Sequence, residues 1–395
     1  MINKKTIRDI DVKGKKVLVR CDFNVPLNSD REITDDTRII AEIPTIEYLK
    51  QNGAKIILCS HLGRPKGEVK EEFSLKPVAK KLSEELNTEI KFSKDIIGEN
   101  AKQLISGIQD GDIVLLENVR FDSREEKNDE EFSKELASLA EIYVNDAFGT
   151  AHRAHSSTEG VSRYLPAVSG FLIEKELEFM GNALNNPKRP FVAILGGSKV
   201  SDKIGVIENL LNKVDKILIG GGMAFTFLKA KGYEIGNSIC EDDKIEEAKM
   251  IMQKADEKNV KIVLPKDLHI TTEYSNDTED KIVKVEDMIE GWQGLDIGTE
   301  TITEFKEELK DVATIVWNGP LGVCEFSKYS TGTEEIAKAI ADTNAISIVG
   351  GGDSVAAIKK LGLEDKFSHI STGGGASLEY LEGKSLPGIE CLENK

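Results

Sequence analysis

Short, nearly unbroken apolar runs recur along the chain, and each ends on glycine or a polar cluster. In the first half they are "KKVLVRCDFN", "AKIILCSHLGR", "DIVLLENVR" and "EIYVNDAFG". In the second half they are "FVAILGGSK", "KILIGGG", "KIVLP", "ATIVWNGP", "AISIVGGG" and "HISTGGG". Runs this rich in Val, Ile and Leu are what a parallel strand buried on both faces looks like. Charged segments with helical spacing, such as "EEFSLKPVAKKLSEELN" and "EEIAKAIADT", lie between them. Strand alternating with helix predicts doubly wound, Rossmann-like α/β sheets with right-handed crossovers. The glycine and polar motifs stand at the carboxyl ends of the runs, where such sheets bind ligands.

A chain of 395 residues exceeds what one core usually supports, so two domains are expected. The best boundary is "GFLIEKELEFMGNALNNPKRP", Gly170–Pro190, an amphipathic helix broken by Asn-Asn-Pro before the next strand. This divides the chain into a domain over 1–170, a connecting helix over 171–185 and a second domain from 186. The acidic stretch "REEKNDEE", Arg124–Glu131, reads as a solvated loop and helix start.

Charge narrows the ligand class. With a formal net charge of −17, the chain lacks the basic face that nucleic acid needs. A small phosphorylated ligand is still allowed, because a pocket's local field can oppose the net charge. The five cysteines, Cys21, Cys59, Cys240, Cys324 and Cys391, are scattered without CxxC or zinc spacing, as free thiols in a reducing cytoplasm would be. The N-terminus has no signal-peptide apolar region, and no run approaches the roughly 18 residues of a membrane span.

The two halves carry different chemistry. All ten arginines fall at or before Arg189, and His61, His152 and His155 also lie in the first half. Arginine's planar fork suits bidentate contact with carboxylate or phosphate. Arg38, Arg64, Arg120 and Arg153, beside "CDFN", "HLGR", "NVRF" and "AHRAH", are therefore candidates for holding a small, highly anionic molecule. Each alone also reads as a surface ion pair or cap, and His61 and His152 also read as core histidines. The second half holds "GGSKVSDK", "GGGMAF", "GGGDS" and "GGGAS", each after a strand and before a helix. Such turns bring backbone amides and a helix N-terminus toward a phosphate chain, or simply permit close packing. Lys199 and Lys203, at i and i+4, would share one face of a helix start. Asp353 reads either as a Mg²⁺ ligand or as a helix cap. No GxxxxGK[ST], first-turn GxGxxG, DFG, HRD or GxSxG is present. An arginine-lined site together with a nucleotide-like site points to direct phosphoryl transfer.

The motifs "VRCDFNVP", "SHLGRP", "ENVRF", "NDAFGTAHRAHSST", "ILGGSKVSDK", "WNGPLGVCEF", "GGGDS" and "STGGGASLEYLEGKSLPG" closely resemble the phosphoglycerate kinase family, in order and over essentially the whole chain. The resemblance implies reversible transfer of the acyl phosphate of 1,3-bisphosphoglycerate to MgADP, giving 3-phosphoglycerate and MgATP in glycolysis and gluconeogenesis. It implies a phosphoglycerate site of Asp22, Phe23, Asn24, Arg38, His61, Leu62, Gly63, Arg64, Arg120, His152 and Arg153. It implies a nucleotide site of Lys203, Gly294, Asn318, Glu325, Gly351, Gly352, Asp353 and Ser354, with Mg²⁺ at Asp353. Arg38, Lys199 and Lys203 would act on the phosphoryl group in transit. The nucleotide domain would end near residue 380, the tail 381–395 would pack back on the first domain, and the protein would be a cytoplasmic monomer. Ser198, Thr299 and Cys324 depart from the usual Ala, Pro and Phe without removing a charge.

A domain of this size has a radius of gyration of roughly 16 Å, whereas direct in-line transfer needs reacting oxygens about 3–3.5 Å apart. Hinge closure that also expels water is therefore expected. Two rivals remain at this point: another two-domain transferase or a ligase working through an acyl phosphate, and a non-catalytic dinucleotide-binding module. ATP formation from 1,3-bisphosphoglycerate separates out the first, and the twin sites argue against the second.

Overall fold

The computed structural model describes residues 3–395. Two compact units are present: one runs to Glu178 and takes up Ser385–Lys395, and the other is Phe179–Lys384.

In the first unit, β1 (Lys16–Arg20), β2 (Lys55–Cys59), β3 (Ile90–Phe92), β4 (Ile113–Leu115), β5 (Ile142–Asn145) and β6 (Ala167–Ser169) form one sheet in the order β3-β4-β2-β1-β5-β6. Every pairing is parallel. The middle of β1, Val17 to Val19, is fully buried because helices cover both faces, which explains its unbroken apolar run. The chain moves outward from β1 through β2 and later returns to place β5 on the other side of β1. The carboxyl ends of β1 and β5 therefore flank a topological switch point, where a crevice opens.

The second unit repeats the plan. Its strands are β7 (Phe191–Leu195), β8 (Lys216–Ile219), β9 (Lys261–Val263), β10 (Asp267–Thr271), β11 (Asp280–Lys284), β12 (Gln293–Ile297), β13 (Thr314–Asn318), β14 (Ile346–Gly350) and β15 (His369–Ile370). A parallel sheet runs β15-β14-β13-β7-β8-β9, with its switch point between β7 and β13. The fully buried Trp317 of β13 packs in its core, and its indole N–H is satisfied by the Gly319 carbonyl. A separate antiparallel sheet, β11-β10-β12, lies over a small core that includes Phe225, Leu268 and Ile270.

This antiparallel sheet, β3 and β6 have no counterpart among the apolar runs. β3 and β6 are only three residues long, and β11 is largely exposed, so none of the three shows as an apolar run. The acidic stretch at 124–131 also departs from a wholly solvated loop. Glu125 is fully buried and accepts from the Ser157 backbone N–H and hydroxyl. Among the described residues no helix is long and apolar enough to cross a membrane.

The last eleven residues belong to the first unit through dispersed contacts. The Asn145 side chain donates to the Gly388 carbonyl at 2.8 Å, Lys5 N–H donates to the Glu393 carbonyl, and Lys4 Nζ reaches the Leu392 carbonyl at 2.7 Å. Ile389 and Leu392 are buried there. Truncating a buried Leu of this kind removes about 2–5 kcal/mol. Leu392→Ala is therefore expected to lower the urea midpoint of the first unit, followed by circular dichroism. Trp292 and Trp317 both lie in the second unit, so their fluorescence transition should move far less. Equal shifts of the two signals would place the tail's contribution elsewhere.

Candidate functional site

At the switch point of the first unit, basic side chains gather around His61. Arg38, the second residue of helix Thr37–Gln51, sends Nη1 to the Asp22 carboxylate at 3.1 Å and to the Asn24 carbonyl at 3.1 Å. Asp22 and Asn24 follow β1 directly, and Asn24 Oδ1 accepts the Gly63 N–H at 2.9 Å, tying the β1 and β2 ends together. Arg120 is buried. Its Nη1 donates to the Gly63 carbonyl, its Nε lies 3.4 Å from Glu126, and its Nη2 has no hydrogen-bond partner among the described residues. Burial pushes this guanidinium down to about 10. Arg153 Nε donates to His152 Nε2 at 3.2 Å.

His61 itself is held by a residue that the sequence reading passed over. Arg20, the last residue of β1 and fully buried, donates from Nη2 to His61 Nδ1 at 3.2 Å and from Nε to Ser157. Guanidinium cannot accept a hydrogen bond, so Nδ1 must be the acceptor and the imidazole proton resides on Nε2. Burial first, and then the charges of Arg20, Arg120, Arg38 and Arg153, hold the His61 pKa well below its usual value. It is a neutral N–H donor among cations. His155 is pushed down to about 3 by burial and by the charges of Arg120, Arg20 and Arg153, and its Nδ1 is buried without a partner among the described residues. Buried donors and acceptors left open in this way cost about 1–3 kcal/mol each until a ligand supplies the missing partners.

Not every expected residue joins the cluster. Arg64 is exposed and makes no hydrogen bond or ion pair among the described residues. The Phe23 and Leu62 side chains lie in the hydrophobic core, and the Phe23 N–H is taken by Ser60 Oγ. Arg20 was hidden because it closes an apolar run and reads as part of the strand. His155 was within reach of the "AHRAH" spacing.

In the second unit a cleft of about 480 Å³ contains Gly294, Glu325 and Asp353 together with Gly221, Phe225, Pro320, Leu321, Val323 and Tyr274. Its walls are apolar side chains and glycine backbone, a shape suited to a flat heterocycle. Gly294 lies against the Phe225 ring, and Ser238 Oγ accepts its N–H. Asp296 forms part of the floor. Burial raises its carboxyl to about 8, against the opposing pull of the Gly332 and Ile297 N–H groups. The glycine turns divide into two kinds. At Gly196 a Cβ would stand 2.0 Å from the Pro320 carbonyl, so this glycine serves the close approach of two turns. Gly351, at φ +92, opens helix Gly352–Lys360 with a backbone conformation that L side chains rarely adopt.

Behind the cleft, Lys203 Nζ donates to Asn318 Oδ1, and Ser354 Oγ accepts the Gly319 N–H at 3.0 Å. Burial lowers Lys203 to about 8. Lys199 does not share a helical face with it. The helix begins at Ile204, residues 201–203 form a turn, and Lys199 is exposed. Asp353 is not the N-cap, since Gly351 takes that place, and its exposed carboxylate has no partner among the described residues. Among the departures from the family pattern, Thr299 stands at the first position of helix Thr299–Glu308, where proline is favoured. Cys324 contacts the Thr333 hydroxyl, and Ser198 borders the cleft.

Comparison with known proteins identifies the family. The model of the phosphoglycerate kinase family matches residues 7–384. Phosphoglycerate kinases of Clostridium botulinum and Clostridium perfringens are 59% and 60% identical, covering all of this chain and 99% of theirs. The solved phosphoglycerate kinase structure from Coxiella burnetii superposes with a TM-score of 0.90 at 42% identity, and that from Pyrococcus horikoshii with 0.85 at 34%, each covering 98% of both chains. An arginine cluster at one switch point, a glycine-walled cleft at the other and relatives matched end to end have one reading: the chain belongs to the phosphoglycerate kinase family, which exchanges a phosphoryl group between 1,3-bisphosphoglycerate and ADP.

Proposed function

We propose that the cluster around His61 binds 3-phosphoglycerate or 1,3-bisphosphoglycerate, and that the cleft beside Asp353 binds the magnesium complex of ADP or ATP. The glycolytic reaction itself, reversible transfer of the acyl phosphate to ADP, follows from family membership. The observation that carries the substrate assignment is Arg120 Nη2, a buried guanidinium nitrogen without a partner among the described residues, beside a His61 fixed as a neutral donor. Such a set matches the oxygen clusters of a small phosphorylated carboxylate.

Arg38 is about one-third exposed and held on one edge by Asp22. It is the group proposed to follow the phosphoryl oxygens in transit, joined by Lys203 and by Lys199, whose exposed chain is free to reach. Asp22, Asn24, Gly63, Arg64, His152 and Arg153 complete the phosphoglycerate side, with Phe23 and Leu62 supporting it through backbone and core. Gly294, Glu325, Asn318, Gly351, Gly352 and Ser354 complete the nucleotide side. Mg²⁺ typically uses one or two carboxylates plus substrate phosphates, which the uncapped Asp353 fits. Bound there, the metal would neutralise phosphate charge. Transfer is direct and in line, with closure bringing the reactants together and excluding water. The five free thiols suit a cytoplasmic setting, and the family expectation is a monomer.

Arg38→Ala is expected to lower kcat by about 10³-fold or more, with circular dichroism unchanged; near-normal turnover would remove Arg38 from the transfer step. Asp353→Asn should raise KM for MgADP at least tenfold while calorimetry finds 3-phosphoglycerate affinity within twofold of wild type. Equal loss of both would contradict separate sites. Lys203 binds phosphate only when protonated, so kcat/KM for MgADP should fall as pH rises through about 8. Lys203→Met should abolish that limb of the profile, and a limb that persisted would belong to another group.

A further inference from the structure

We infer that Glu42 is a positioning residue for the phosphoglycerate site, acting as the protonated member of a carboxyl pair with Asp146. The inference rests on the assignment of Arg38 and Asp22 to that site.

Glu42 lies one turn after Arg38 on helix Thr37–Gln51 and is fully buried. Its Oε1 accepts the Asp22 N–H at 2.8 Å, while Arg38 Nη1 holds the Asp22 carboxylate. One helix thus grips Asp22 at both backbone and side chain. Asp146, just beyond β5, is also fully buried. Its Oδ1 accepts the Ile173 N–H at 3.1 Å, and its carboxyl sits where a Cβ on Gly170 would be, 2.2 Å away. Beside it, Thr45 Oγ1 accepts the Phe171 N–H at 2.9 Å. Asp146 and Thr45 therefore anchor the start of helix Phe171–Asn185.

The two carboxyl groups lie within hydrogen-bonding reach of each other. Glu42 Oε2 and Asp146 Oδ2 are buried without a hydrogen-bond partner among the described residues. Two ionised carboxylates in contact away from water repel strongly, whereas one proton between them satisfies both oxygens. Burial, reinforced by the Asp146 and Asp22 charges, raises Glu42 well above the usual carboxylate range. Burial raises Asp146 less, because Thr45 and the Ile173 and Leu172 amides favour its charge. Cys21, the other titratable neighbour, is itself held neutral by burial. The proton therefore stays on Glu42 and is donated to Asp146. The pair ties the Asp22 peptide to the start of the long helix.

Glutamine reproduces the protonated acid permanently, with an oxygen for Asp22 N–H and an N–H for Asp146. Glu42→Gln should keep KM for 3-phosphoglycerate within about twofold of wild type. Glu42→Ala should raise it about tenfold or more with KM for MgATP unchanged. A second readout follows from linkage. The folded wild type carries a proton that the unfolded chain has lost above its ordinary carboxylate pKa, so wild-type stability falls as pH rises. Between pH 5 and 7 the unfolding constant of wild type relative to Glu42→Gln should rise by up to about tenfold per pH unit, measured by urea titration. Identical pH slopes, or a Gln variant as impaired as the Ala variant, would overturn the inference; if the Ala variant does not fold, the slopes alone decide. Arg38→Ala is the control. If it leaves KM for 3-phosphoglycerate unchanged, the underlying site assignment fails instead.

Discussion

Keeping four guanidinium groups close together in a chain of net charge −17 is the constraint around which the first unit is arranged. Mutual repulsion would scatter them, so each is tethered. Arg20 is locked into the strand end by Cys21, Ser157 and His61, with buried Glu125 behind Ser157. Arg38 is tethered by Asp22 and Asn24, Arg120 by the Gly63 carbonyl and Glu126, and Arg153 by His152. Burial, reinforced by the same field, keeps His61 and His155 uncharged, converting two potential cations into neutral partners. A local positive field inside an acidic molecule is thus a product of specific anchoring, and the net charge says little about it.

The second unit offers a proposed anion a different setting. It lacks arginine after Arg189 and relies on bare backbone, one buried lysine and a helix start at Gly351. Peptide amides are weak individually but need no counter-charge when the ligand is absent, so this cleft stays apolar enough to accept an aromatic ring. Both units place their candidate ligand chemistry at a switch point of a parallel sheet, so one architecture can serve two unlike reactants.

How much of this was legible follows from where each residue stands relative to a strand. Long apolar runs such as "FVAIL" betray themselves because both sheet faces are covered, and the arginines immediately past strand ends stand out against glycine and asparagine neighbours. Arg20 was invisible because it belongs to the strand itself. Glu42, Glu125 and Asp146 look like ordinary surface charges in a helix, an acidic loop and a polar turn, and only folding reveals that they are buried. Lys199 and Lys203 were misjudged for a related reason: equal spacing implies a shared face only inside a helix, and the helix starts after both. The antiparallel β10–β12 sheet escaped notice because its edge strand is mostly solvated.

The return of Ser385–Lys395 to the first unit means that this unit is encoded at both ends of the chain, with the whole second unit inserted between. A ribosome therefore releases the second unit's complete sequence while Asn145, Ala151 and Ala167 still wait for the backbone partners supplied by the tail. The lobe translated first is the one finished last, because it closes only after Ser385–Lys395 has followed the second unit.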